Sequence, residues 1–201
     1  MRPPGVFYGR RPGFPLHVQG IEQAKAVGRL LSRLCKVQAV YSSPLERAME
    51  TAALIAAENK LDPSSITQHV GVLEIHSPFE GTTLQQMEAR QWNLYDDVDL
   101  SLHETFEELC TRTILAIKEV AETAIAKEQS DVVVTTHGDV CVAARLWGQK
   151  QPLTKEGRKA LMSVQYPTYC SVTSLEVDES GVCIAYNTHQ VMDTNPDGKQ
   201  S

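Results

Sequence analysis

The sequence predicts an α/β fold with a largely parallel sheet, and three observations carry that prediction. Short β-branched apolar runs, "VQAVYSS" at 37–43 and "VVVTT" at 132–136, each lead straight into a helix-like segment. Apolar residues recur at helical spacing between those runs. The chain closes on "CSVTSLEVDESGVCIAYNT" (170–188), two strand-like stretches joined around Ser180-Gly181, which predicts an antiparallel hairpin. Strands that alternate with helices pair in parallel, because each helix carries the chain back over the sheet.

In chain order, residues 1–17 predict loop, punctuated by Pro3, Pro4, Gly5, Gly9, Pro12, Gly13 and Pro15. From Gly20 to Leu34, Ile21, Ala24, Val27, Leu30, Leu31 and Leu34 form one helical stripe. After the strand at 37–43, Pro44 suits the first position of a helix with Ser43 as its cap, running through "LERAMETAALIAAE". "HVGVLEI" (69–75) predicts a strand or extended segment, "TTLQQMEARQ" (82–91) a helix and "NLYDDVDLSL" (93–102) a loop. Phe106, Leu109, Cys110, Ile114, Ile117, Val120 and Ala124 give an apolar face to a long helix from Glu104 to about Lys127. "GDVCVAARLWG" (138–148) predicts a helix ended by Gly148. "PLTKEG" (152–157) echoes "PLHVQG" (15–20), and one short coincidence makes no repeat. A single domain over 1–192 and a frayed tail at 193–201 complete the expectation.

Composition narrows the function. The chain has 201 residues, 42% hydrophobic and 22% charged, enough for one well-cored globular domain. A net charge of -6 argues against a nucleic-acid or anionic-membrane surface, which needs excess Lys and Arg. The five cysteines are odd in number and none is spaced Cys-x-x-Cys, so reduced thiols in a cytoplasmic setting are expected rather than disulfides or zinc. No apolar run is long enough to span a membrane, and the start lacks the apolar core of a signal peptide.

Ligands of open α/β sheets bind at the carboxyl ends of parallel strands. "VYSSPLERAMETA" puts Ser42 and Ser43 just past a strand and Arg47 in the first helical turn. A cation there opposes the helix dipole, and a bound phosphate resolves the conflict. The plain alternative is a surface arginine paired with Glu46 or Glu50. "VVVTTHGDV" puts His137 at the same edge, followed by Gly138, which permits close backbone approach. A lone histidine is otherwise a hydrogen-bonded structural residue.

Taken together, "SSPLERAMETA", "LEIHSPFEG", "HETFEELCTR", "VVVTTHGDV" and "YCSVTSLEVDESGVCIAYNTHQV" resemble, in order, the histidine phosphatase superfamily, the phosphoglycerate mutase-like group in its small-phosphatase branch. "YGRRPGFPLHVQGIEQAKAVGRLL" is similar to the segment after the family's first motif, so the resemblance covers nearly the whole chain. It implies a three-layer α/β/α sandwich, mainly parallel, with a C-terminal antiparallel hairpin. It implies a pocket of two histidines, two arginines and a carboxylate acting on phosphorylated small molecules through a phosphohistidine, with no metal or other cofactor. Arg47 matches the motif's phosphate-holding arginine, His137 the second histidine, and Glu74 the proton donor, with Thr136 and Gly138 shaping the pocket. A donor must be protonated near neutral pH, hence partly desolvated. Arg10 and Arg11 are possible auxiliary phosphate ligands; His76 and His189 are expected to be structural.

One part of the pattern is missing. The family's first strand, in the interior of its sheet, ends in Arg-His-Gly, and no Arg-His-Gly occurs in these 201 residues. His17, in "PLHVQG", is the first residue to consider as a replacement nucleophile, although its place in the pattern is wrong for in-line attack. The expectation is therefore a fragment of a longer phosphomonoesterase, inactive as written and easily opened, because an interior strand is absent. The alternatives are a non-catalytic phospho-ligand or partner-binding pseudophosphatase, and a phosphoglycerate mutase. The mutase subfamily carries longer insertions after the acidic motif than this chain does.

Overall fold

A computed structural model describes residues 5–96, 98–99 and 103–189. The expected tail at 193–201 and part of the expected loop at 93–102 lie outside the described residues. The elements are α1 (Val18–Leu34), β1 (Ala39–Ser42), α2 (Glu46–Glu58), β2 (Thr67–Gln68), α3 (Leu84–Ala89), α4 (Phe106–Ala126), β3 (Val132–Thr135), α5 (Gly138–Gly148), α6 (Lys155–Gln165), β4 (Val172–Val177) and β5 (Cys183–His189).

β1 lies between β2 and β3, parallel to both, with Tyr41 opposite Thr67 on one side and Val134 on the other. β4 and β5 form a separate antiparallel pair, turned at Gly181 as the sequence predicts. Successive β3 side chains point to opposite faces, and the cores follow. Val133 packs with Val40 of β1 and with Val27, Leu31, Ala52 and Ile55 of the α1/α2 layer. Val134 packs with Leu109, Val140, Val142 and Leu146 of the α4/α5 layer. That is the three-layer α/β/α arrangement. β4 lies in the same middle layer: Val172 joins the α1/α2 core, while the hydroxyl of Thr173 accepts from Arg145 of α5.

The sheet is nevertheless in two pieces. Among the described residues, the edge of β3 away from β1 and the edge of β4 away from β5 have no strand partner. Val132, Val133 and Val134 are only half-buried, although their type suits a fully covered strand.

Several local expectations change. Residues 69–75 are not a strand: Val70–Val72 form a 3-10 turn, capped by His69 through the Gly71 N–H. Tertiary packing overrides the β-propensity there, since a Cβ on Gly71 would come within 2.7 Å of the Ala116 Cβ on α4. α2 starts at Glu46 with Leu45 at its cap position and no side-chain cap; Ser43 is engaged elsewhere. Gly148 is the last residue of α5, and it admits Tyr186 and Leu175 of the hairpin, which a Cβ would meet at 2.7 and 2.8 Å. α6 was not foreseen. Its start, "PLTKEG", and the similar "PLHVQG" both enter helices, capped by Thr154 and His17. All five cysteines are free. No helix among the described residues is long and apolar enough to cross a membrane.

Candidate functional site

The carboxyl ends of β1 and β3 lie side by side, Ser42 opposite Thr135, and each strand opens toward a helix start. Arg47 comes from the first turn of α2 and His137 from the cap position of α5. The stretch after the 3-10 turn brings Glu74, tied down where Thr136 donates to the Val72 carbonyl at 2.7 Å. An N-terminal stretch closes the group: Phe7 exchanges main-chain hydrogen bonds with Gly81 and Thr82, holding residues 8–11 beside Arg47. Gly9, at φ +48° and with Glu80 where a Cβ would sit, turns its carbonyl to accept from Arg47 Nη2 at 2.9 Å.

Arg47, Glu74 and His137 therefore converge. Arg47 Nη2 lies 3.2 Å from His137 Nδ1 and 3.8 Å from Glu74 Oε2, and His137 Nδ1 lies 3.9 Å from the same oxygen. Arg47 bonds neither Glu46 nor Glu50; Glu50 accepts the Leu16 N–H instead. The Arg47 guanidinium also lies over the Tyr8 ring, 4.7 Å from its centroid, and Tyr8 stacks on Phe14 at 4.9 Å. Burial raises the Tyr8 hydroxyl's pKa despite the arginine.

The hydrogen bonds assign a tautomer to His137. Arg47 can only donate, so Nδ1 accepts, and the ring proton sits on Nε2, donated to Ser43 Oγ at 2.7 Å. The imidazole is buried, and desolvation followed by Arg47, Arg112 and Arg10 depresses its pKa well below the ordinary value. It is therefore neutral at neutral pH. Glu74 shifts the other way. Burial first, then the nearby Asp139 carboxylate, raise its pKa from 4.5 to about 7, against the Ile75 N–H, Arg47 and Arg112. A carboxyl at about 7 is part protonated at neutral pH and can give a proton away.

Gly138 lies under the hydroxyl of Tyr166, which a Cβ would meet at 2.1 Å. That hydroxyl donates to Asp139 Oδ1 at 3.1 Å, while Tyr95 and Arg158 donate to Oδ2 at 2.6 and 3.0 Å. Asp139 is 1% exposed, so these donors offset the cost of its burial. They also fix the charge that raises the Glu74 pKa.

Arg10 reaches the site's edge, with Nε donating to the Glu74 carbonyl at 2.6 Å and Nη2 3.3 Å from Glu104. Arg11 is exposed and lies against Gly81. The other five histidines are outside the converging group. His17 caps α1, His69 pairs with Glu119, His76 and His103 meet edge to face, and His189 ends β5. No group of three or more His, Cys, Asp or Glu among the described residues is arranged to hold a metal ion.

Sequence reasoning missed Ser43 as the partner of His137, the ring of Tyr8, the donors around Asp139, and the pair Glu104 and Arg112. Ser43, Tyr8 and the pair had a signal, since they fall in "SSPLERAMETA", "YGRRPGFPLHVQGIEQAKAVGRLL" and "HETFEELCTR", segments that carried the family resemblance; the donors Tyr95, Arg158 and Tyr166 had none.

A sequence model of the histidine phosphatase superfamily (branch 1) matches residues 4–188. An uncharacterized protein of Mycobacterium tuberculosis is 43% identical over 79 residues, 39% of this chain and 37% of that protein. The metal-independent phosphoserine phosphatase of Arabidopsis thaliana is 32% identical over 140 residues, 65% of this chain and 57% of that protein. The chain thus spans less than two thirds of the curated relatives it matches. Among solved structures, Bacillus stearothermophilus YhfR superposes with a TM-score of 0.69 at 24% identity, covering 90% of this chain and 87% of its own. The vanadate (VO3) complex of mycobacterial glucosyl-3-phosphoglycerate phosphatase superposes with a TM-score of 0.68 at 19% identity, covering 92% and 90%.

Proposed function

The chain belongs to the histidine phosphatase superfamily, and we propose that its site is the phosphoryl pocket of a phosphomonoesterase working through a phosphohistidine. Of that machinery, these 201 residues carry one arginine, one imidazole and the proton donor, without the attacking histidine. The observation that carries the proposal is the convergence of Arg47, His137 and Glu74 within 4 Å at the ends of two parallel strands. The names of several relatives support small phosphomonoesters as the substrate class: a phosphoserine phosphatase, a glucosyl-3-phosphoglycerate phosphatase and an α-ribazole phosphatase.

The geometry gives each residue a task. An arriving phosphoryl group takes over the Arg47 hydrogens now spent on Gly9 and His137. Its negative charge raises the proton affinity of the His137 ring, whose freed Nδ1 can then take a proton and donate to a phosphoryl oxygen. Ser43 holds the ring through Nε2 meanwhile. Glu74, protonated below about pH 7, supplies the leaving oxygen with its proton. Attack on phosphorus needs a second imidazole, and the five other histidines lie outside the converging group: His17 caps α1, His69 pairs with Glu119, His76 and His103 meet edge to face, and His189 ends β5. The division of the sheet between β3 and β4 fits the lack of the Arg-His-Gly strand from these residues.

The same observation favours a second reading, a phospho-ligand binder without turnover. Both readings require anion binding at Arg47. Calorimetric titration of the 201-residue chain with inorganic phosphate should show one saturable site, weakened at least about tenfold in Arg47→Ala, since a charged hydrogen bond contributes ~1.5–3 kcal/mol. No saturable heat, or equal affinity in the variant, would remove both readings.

A further inference from the structure

Glu74 has an unusual main chain. Its carbonyl accepts from two arginines, Arg10 Nε at 2.6 Å and Arg112 Nη2 at 3.2 Å. Arg112 also donates through Nη1 to the Gly71 carbonyl at 2.8 Å, so one guanidinium from α4 spans both ends of the stretch that delivers Glu74. The guanidinium is itself held. Glu104, just before α4, takes Arg112 Nε on one oxygen and Nη2 on the other, at 2.9 Å. The second Glu104 oxygen further accepts the His76 N–H at 3.2 Å and lies 3.3 Å from Arg10. Both side chains are largely enclosed, 21% and 13% exposed.

We infer that Arg112, anchored by Glu104, is a positioning residue: by gripping the carbonyls of Gly71 and Glu74 it fixes where the Glu74 carboxyl stands against Arg47 and His137. This rests on the reading of Glu74 as proton donor. Planarity is central to the role. A guanidinium reaches two carbonyls and a carboxylate from one plane, whereas an ammonium has a single nitrogen to share among them. Arg10 alone cannot do the same, because it comes from the N-terminal stretch and touches only one end.

The grip and the charge of Arg112 act on Glu74 in opposite directions, which makes the inference testable. As a charge, Arg112 lowers the Glu74 pKa; as a grip, it keeps the carboxyl in the buried position that raises it. The experiment is a carbon-13 NMR titration of Glu74 in the full chain, assigned through Glu74→Gln, for Arg112→Gln and Arg112→Lys. A positioning role moves the midpoint down from about 7 by about one unit in both variants, because the carboxyl escapes to solvent. A purely electrostatic role moves it up in Arg112→Gln and leaves Arg112→Lys unchanged, and that result would overturn the inference, as would an unchanged midpoint in both. Should Arg112→Gln fail to fold, Glu104→Gln, which loosens the anchor and keeps its shape, should show the same downward movement. Because the readout is Glu74 itself, failed phosphate binding by the wild-type chain would reject the proposed function without touching this result.

Discussion

Replacing Glu74 by Gln should stabilise the protein above neutral pH and leave it unchanged in acid. Gln keeps the side chain's shape and its oxygen for the Ile75 N–H, and it never ionises. In the wild type, burial beside Asp139 holds the Glu74 pKa at about 7 against an ordinary 4.5. Below pH 4.5 the carboxyl is protonated whether the chain is folded or not, and nothing is lost. Between 4.5 and 7 only the unfolded chain releases the proton, so stability falls as pH rises; above 7 the loss is complete. A rise of about 2.5 units at ~1.4 kcal/mol each amounts to about 3 kcal/mol. For a chain of this length that is a Tm higher by roughly 6–12 °C in Glu74→Gln at pH 8, and by almost nothing at pH 4. Scanning calorimetry of both proteins in phosphate-free buffer measures it. A Tm at pH 8 equal to or below that of the wild type would show that the carboxyl is not held out of water at a cost, and the proton-donor argument would lose its basis.

Two other consequences follow from the same group. Sulfate keeps its charge across neutral pH, so its affinity reports the pocket alone; it should tighten as pH falls through 7, by up to about tenfold per unit, because an ionised Glu74 repels the anion. A flat profile, or affinity that improves in alkali, contradicts this. Ser43→Ala strands the His137 Nε2–H in a buried setting and should cost about 1–3 kcal/mol in urea denaturation, with a changed ring nitrogen-15 shift at His137; an unchanged shift would mean that the tautomer is held by something else.

Much of this site was legible because its residues sit at strand ends within short motifs. Arg47 and His137 each follow a β-branched run by a few residues, and the clash between Arg47 and the helix dipole already asked for an anion. What holds these groups was not legible. Arg10 and Glu104 are 94 residues apart, and Ser43 and His137 are equally far apart. Ser43 looks like a helix cap on local propensity, and the imidazole won its hydroxyl. The Val70–Val72 turn was hidden by a strand-like sequence, because the pressure of Ala116 on Gly71 comes from α4. α6 escaped notice because "KEGRKALMSVQ" has few apolar residues, bunched at 160–164; its Arg158 is buried and paired to Asp139 across the core. The absence of Arg-His-Gly, by contrast, is plain in the sequence; under the proposed function, its counterpart in the fold is the edges of β3 and β4 that lack a strand partner among the described residues.

The pocket proposed for Arg47, His137 and Glu74 binds a phosphoryl group but has no nucleophile of its own. Phosphorus-31 NMR of the 201-residue chain with p-nitrophenyl phosphate tests it directly, followed over time beside a His137→Ala control. The expected result is a bound phosphoester resonance that is lost in the control, and no growth of inorganic phosphate above the buffer rate, because forfeiting covalent catalysis leaves only direct attack by water. Phosphate release that disappears in His137→Ala, with acid-labile phosphate trapped on a histidine of this chain, would contradict it.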